Sequence, residues 1–212
     1  MTCDVTLIVI AKEPVPGRVK TRLTPPYTSQ RAALIAEASL ADTLDAVAAA
    51  PATRRVVALE GRPGAWLPGG IEVIAQRGAG LDERLANAFA DVGGPAVLIG
   101  MDTPQVTPEI LADASRRLDG CDAVYGPAAD GGFWLLGLRD PDPRRLRGVP
   151  MSRPDTGARQ LERLDGLRVA TLAELRDVDT ADDAVRVAAQ APGTRFAAAV
   201  HAAEQAVHVG AR

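Results

Sequence analysis

Hydrophobic positions follow two rhythms along this chain. Apolar runs of strand length, "VTLIVI" from Val5, "RVVAL" from Arg55, "IEVIA" from Ile71 and "AVLIG" from Ala96, alternate with stretches where apolar residues recur every three or four positions. That alternation predicts βαβ units on a largely parallel sheet, because strands covered on both faces need no polar side. The spacing predicts a helix over Ser29–Ala49 with Leu34, Ala38, Ala41, Leu44 and Ala48 along its buried face, and a short amphipathic helix over Asp82–Val92. Thr107 caps a further helix that opens with Pro108 and Glu109, an arrangement that satisfies free N–H groups and suits the helix dipole. "DAVYG" and "FWLLGL" flank a glycine-rich turn, Asp140–Pro154 reads as a surface loop, "TGARQLERL" as a helix and "LRVATL" as a strand. Thr180 is the N-cap of a helix through "ADDAVRVAAQ", and the alanine-rich stretch from Thr194 is helical too. With no repeat or linker, the expectation is one α/β domain over residues 1–190 and a helical tail over 191–212, packed on it or extending from it.

Composition narrows the chemistry. At 212 residues and 47% hydrophobic the chain can bury a substantial core, and its net charge of -3 gives no field that would gather nucleic acid or an anionic membrane. Any anion site must be local. The apolar run Val5–Ala11 is too short to span a bilayer and "MTCDVT" lacks the basic flank of a secretory signal, so a cytoplasmic protein is expected. Cys3 and Cys121 are too few for a disulfide framework or a zinc cage, and His201 and His208 sit together near the C-terminus. Histidine and thiol catalysis find little support.

Four stretches carry candidate chemistry. The first is "AKEPVPGRVKTRL", from Ala11, which holds Lys12 and Lys20, the only lysines among 24 basic residues. A loop directly after the first strand is a natural phosphate site: Gly17 lets backbone N–H groups approach, and Arg18, Lys20 and Arg22 supply charge. It lacks the spacing of a Walker A loop, and a solvated basic surface is the alternative. The second is "IGMDTP", where Asp102 stands at the end of a buried strand and reads either as a ligand for a hard divalent cation or as a turn aspartate. The third is "RDVDTADDA", where an extended chain would put Asp177 and Asp179 on one side, able to share a cation with Asp102, or facing the following helix dipole. Asp182 and Asp183 read as first-turn acids of that helix. The fourth is "GPAADGGFWLLGL", where Gly131 and Gly132 permit close backbone approach to a ligand beside Asp130 and Phe133, or simply form a hairpin.

In order, a basic G-x-x-K-T-R-L loop, G-x-D-x-P, D-G-G-aromatic and D-V-D-T resemble the DUF2064 family, described as glycosyltransferase-like and grouped with the nucleotide-diphospho-sugar transferases of GT-A fold. More distantly the chain is similar to the phospholactate guanylyltransferases, which share a K-x-R-L loop. The resemblance runs from about Val5 to Ala188. It implies a single-domain GT-A fold with a mostly parallel sheet flanked by helices. It makes Gly17, Arg18, Lys20 and Arg22 a phosphate-binding loop with Lys12 as companion, and it places Gly80, Leu81 and Arg84 near the nucleoside. It makes Asp102 a ligand of Mg2+ or Mn2+, completed by Asp177 and Asp179, and turns Asp130, Gly131, Gly132 and Phe133 toward the acceptor. Where the resemblance leads one to expect Trp-Ser-Thr, this chain has Met151-Ser152-Arg153.

The expected function is magnesium-dependent transfer from an activated nucleotide to a small acceptor, with nucleotidyl transfer ahead of glycosyl transfer. Loss of pyrophosphate gives several mobile cations a use, with Lys20 and Arg18 stabilising the leaving phosphates. No base is obligatory when the acceptor is an already ionised phosphate or carboxylate. In the glycosyl alternative Asp130 acts as base, and a third possibility is a nucleotide-binding module without turnover. The expected partners are a nucleotide donor and a small acceptor, not nucleic acid or membrane, and a homo-oligomer is left open.

Overall fold

The computed structural model describes residues 4–210, so Cys3 lies outside the described residues. Strands β1 (Thr6–Lys12), β2 (Arg54–Glu60), β3 (Glu72–Ala75), β4 (Ala96–Gly100), β5 (Ala123–Pro127), β6 (Phe133–Leu138) and β7 (Val169–Thr171) form one sheet, ordered β3-β2-β1-β4-β6-β5-β7. β1 pairs in parallel with β2 and β4, β2 with β3 and β5 with β7, while β6 runs antiparallel to β4 and β5. The chain lays β1, β2 and β3 outward in one direction and then places β4 on the other side of β1. The loops leaving β1 and β4 therefore diverge and open a crevice at the carboxyl ends of the strands.

The period of two along the strands divides the core. Leu7, Val9 and Ala11 of β1 join one cluster under α1 (Ser29–Ala49) and α3 (Pro108–Gly120), which contribute Leu40, Leu44, Leu111 and Leu118. Ile8 points the other way, to α2 (Leu81–Val92), whose Leu85 and Phe89 are buried; each such side chain contributes about 1.5–3 kcal/mol. A third cluster lies outside the sheet and joins Leu23, Tyr27, Ile35 and Val178 to α5 (Ala181–Gln190) and α6 (Arg195–Gly210). Arg195 on Asp42 and Asp45, at 3.3 and 2.6 Å, and Tyr27 on Glu204 fasten α6 to α1 and the loop before it.

Three expectations need correction. α1 has the expected bounds, but its buried arc is rotated: Leu34 is 60% exposed and Ala48 is exposed, while Ile35, Ala36, Leu40, Thr43, Leu44 and Val47 are buried. The helix is packed on two sides, by the sheet and by α5 and α6, and an alanine-rich pattern gives the period without fixing its phase. Asp140–Pro154 is not a free surface loop. It buries Leu146 and Val149, makes a 3-10 turn over Pro143–Arg145, and is strapped to α2 by Arg147 to Asn87 (3.0 Å) and by the Gly148 amide to Asp82 (2.8 Å). The strand expected over "LRVATL" shortens to the three residues of β7 at the sheet edge. Among the described residues, no helix is long and apolar enough to cross a membrane.

Candidate active site

A cleft of about 790 Å³ opens at the carboxyl ends of β1 and β4. Six cationic side chains line it: Lys12, Arg18, Lys20, Arg22, Arg84 and Arg153. Lys12 ends β1, and the loop after it brings three more. Gly17 turns the chain at φ 77°, buried Val19 and Leu23 pin the loop, and Lys20 sits between them in the left-handed region at φ 48°, leading a 3-10 turn over Thr21–Leu23. A lysine in that region costs backbone energy, a cost that persists only where the surroundings fix it.

Four of the six cations already have carboxylate partners. Glu60, at the end of β2, takes Lys12 at 3.4 Å and Arg84, and these two hold its carboxyl below the usual range although burial pushes the other way. Arg22 holds Asp179 at 3.1 Å. Lys20, its side chain 7% exposed, lies 2.7 Å from Asp102 Oδ1 and 3.9 Å from Asp179 Oδ1, and also donates to the Val178 carbonyl. Among the described residues, Arg18 and Arg153 have no carboxylate partner. Arg18 stands on the β1 side of the cleft and Arg153 on the β6 side, with β4 between them.

The acidic wall is built by one backbone bond. The Val178 amide donates to the Asp102 carbonyl at 3.0 Å, and Val178 itself turns into the third apolar cluster. Alternation along the extended chain then points Asp177 and Asp179 into the cleft beside Asp102. Burial, then repulsion from Asp102 and Asp130, only partly offset by Lys20, pushes the Asp177 carboxyl up to about 8. Among the described residues, no three acidic, histidine or cysteine side chains stand close enough to hold a metal by themselves. Asp102, Asp179 and the Val178 carbonyl nonetheless converge on the Lys20 ammonium, an all-oxygen set that suits a hard divalent cation completed by substrate phosphates.

The opposite wall is more structural than its sequence suggests. Asp130 lines the cleft, and its Oδ1 accepts from the Gly132 amide at 2.8 Å, so the carboxylate shapes its own turn. Gly131, at φ 87°, is required by packing: a Cβ there would lie 2.0 Å from the Pro154 carbonyl oxygen, just before α4 (Thr156–Arg163). Gly132 and Phe133 face the cleft, and Phe133 also packs on Tyr125 with ring centroids 6.0 Å apart. Gly80 is the N-cap of α2 and Leu81 and Arg84 line the cleft, while Gly17, Gly80 and Gly131 shape its edges without lining it.

Sequence reading passed over Glu60, Gln76 and Arg153. Gln76 follows β3 and donates to the carbonyls of Ala11 and Ala58 at 2.7 and 2.9 Å, lacing the ends of β1 and β2. The rule that selected Asp102, a polar residue just past a buried strand, selects Glu60 and Gln76 as well. Arg153 carries no such signal beyond its place in the departure from Trp-Ser-Thr.

Solved structures share this architecture. A protein of Desulfovibrio desulfuricans G20, provisionally named a nucleotide-diphospho-sugar transferase, aligns over 98% of both chains with a TM-score of 0.85 and 27% identity. Rv0371c of Mycobacterium tuberculosis H37Rv, solved in complex with manganese, aligns over 88% of this chain and 98% of its own with a TM-score of 0.56 and 24% identity. The 2-C-methyl-D-erythritol 4-phosphate cytidylyltransferase of Thermus thermophilus aligns over 89% of this chain and 99% of its own, with a TM-score of 0.55 and 18% identity. The last two share the fold. No curated protein matches. The sheet and its helices are thus those of the nucleotide-diphospho-sugar transferases, as expected. Residues 36–153, more than half of the chain, match the family described as an uncharacterized protein conserved in bacteria, DUF2064, and to that family the chain belongs.

Proposed function

We propose that the protein is a nucleotide-using transferase that moves a nucleotidyl group from a nucleoside triphosphate to a small acceptor bearing a phosphate or carboxylate. One observation carries this reading: the two cations without carboxylate partners stand on opposite sides of the cleft, Arg18 on the β1 side and Arg153 on the β6 side. A reaction that brings two anions together needs a fixed positive charge for each. Arg18, with Lys20 and Arg22 beside it, receives the donor phosphates, and Arg153 orients the acceptor anion by a forked contact. An acceptor oxygen attacks the α-phosphorus, the new P–O bond forms as the α–β bridge breaks, and pyrophosphate leaves toward the loop cations. An ionised acceptor needs no base, which suits a cleft whose lining contains no histidine. Asp102 and Asp179, with the Val178 carbonyl, would hold Mg2+ or Mn2+, which when bound neutralises phosphate charge.

The provisional name of the Desulfovibrio protein favours a second reading, glycosyl transfer from a nucleotide-diphospho-sugar with Asp130 as base. Incubation with each common nucleoside triphosphate, magnesium and a panel of phosphorylated and carboxylate acceptors should release pyrophosphate. Release of nucleoside diphosphate from nucleotide sugars instead would establish the second reading, and binding of nucleotide without any product would leave a binding module.

A further inference from the structure

We infer that Lys20 is the resident counter-ion of the metal position, and that a divalent cation enters only by displacing its ammonium toward the donor phosphates. The inference rests on the metal-nucleotide reading above and deepens it. Lys20 Nζ takes the place where the acidic wall converges, 2.7 Å from Asp102 Oδ1 and 3.9 Å from Asp179 Oδ1, while donating to the Val178 carbonyl. Asp102 Oδ1 is buried and receives no hydrogen bond from any other described group, so its stability depends on a cation at that point. An ammonium and a metal ion cannot share those oxygens, because like charges this close repel strongly.

Residue type and backbone both fit the task. A compact ammonium with three donors can sit among three oxygens, where a planar guanidinium cannot, which accounts for one of only two lysines among 24 basic residues standing here. The left-handed backbone of Lys20, followed by buried Leu23, holds the side chain against the acidic wall at 7% exposure. A monovalent ammonium stabilises the acidic wall yet yields to a divalent cation. Once displaced, the same ammonium lies on the loop that faces the phosphates, so metal entry and charge delivery to the donor become one event.

Two measurements on the whole protein test this. Free Mn2+ is followed by electron paramagnetic resonance in a titration without nucleotide, for the wild type, Lys20→Met and Lys20→Gln. Removing the competing charge should tighten Mn2+ binding by about tenfold or more. A group that only contacts phosphate would leave this affinity unchanged, and one that only props the carboxylates would weaken it on removal; either result overturns the inference while leaving the nucleotide reading standing. The second measurement needs no variant. In the wild type, amine acetylation read by peptide mass spectrometry should be slow at Lys20 and fast at half-exposed Lys12, and saturating Mn2+ should accelerate Lys20 about fivefold or more with Lys12 unchanged. An unaltered Lys20 rate at saturation overturns the displacement. No Mn2+ binding by any of these proteins, with or without nucleoside triphosphate, overturns both the inference and the metal-nucleotide reading.

Discussion

Asp177 and Asp183 lie in one short segment and have opposite fates. Burial would raise the Asp183 carboxyl, but the Thr180 hydroxyl and amide and the Arg176 guanidinium, at 2.7, 3.1 and 3.1 Å, outweigh it and hold the carboxyl below the usual range. Asp177 is half-buried among like charges, and its carboxyl is pushed up to about 8. The first acid stabilises the fold by closing a capping box at α5. The second is a cost the fold sustains at the cleft, where an incoming ligand can relieve it. The same residue type thus secures the fold on one side of Thr180 and burdens it at the cleft on the other.

The comparison breaks most sharply at the cleft. Asp102→Asn should weaken Mn2+-dependent nucleotide binding by about tenfold or more while the chain still folds, since the amide keeps the shape and loses the charge. Isothermal titration with and without Mn2+ decides it, and equal metal dependence in both proteins would return Asp102 to a turn residue. At the capping end, Asp183→Ala should cost about 1–2 kcal/mol and leave nucleotide binding unchanged. Because the native carboxyl is depressed, its contribution is full above the unfolded value and is lost as pH falls through the native one. The variant and the wild type should therefore converge in acid, as denaturant titrations across pH would show.

Asp177→Asn should do the reverse. A raised native value means that the folded chain binds more protons than the unfolded one between the ordinary carboxylate value and about 8, so the wild type loses stability as pH rises through that window. The variant escapes this loss. Its melting temperature should exceed that of the wild type by a margin that grows with pH and reaches about 2–4 °C at the top of the window. A margin that does not grow would place the Asp177 charge in water. The smallest effect belongs to Asp182, exposed in the first turn of α5: Asp182→Asn should cost about 0.3–1 kcal/mol at low salt, less at high salt, with no change in binding.

What the sequence disclosed follows the same division. Continuous apolar runs and local caps are short-range signals, so β1, the bounds of α1 and the Thr180 cap were legible. Residues at strand ends were legible wherever the strand was, which is why Asp102 was found and Glu60 could have been. The phase of α1 was not, because it depends on a second packing layer contributed by α5 and α6, far along the chain. Nor was the strapping of Asp140–Pro154, which hangs on Leu146, Val149 and partners in α2. Charge pairing was the least legible of all. Sequence reading treated the loop cations as awaiting phosphate, yet Lys20 and Arg22 meet acids more than 150 positions away or across the crevice, and only the fold decides which charges are left over.

The third apolar cluster has a consequence in time. Leu23 anchors the basic loop and Val178 anchors the acidic wall, and both belong to one apolar cluster with Phe196 and Val200 of α6. During synthesis, the sheet residues of β1 through β6 and the helices over them leave the ribosome well before α6 does. Until α6 arrives, the apolar cluster that the two charged walls share is incomplete. A nascent chain can therefore own a nearly complete sheet and its crevice before the two charged walls gain their full common support.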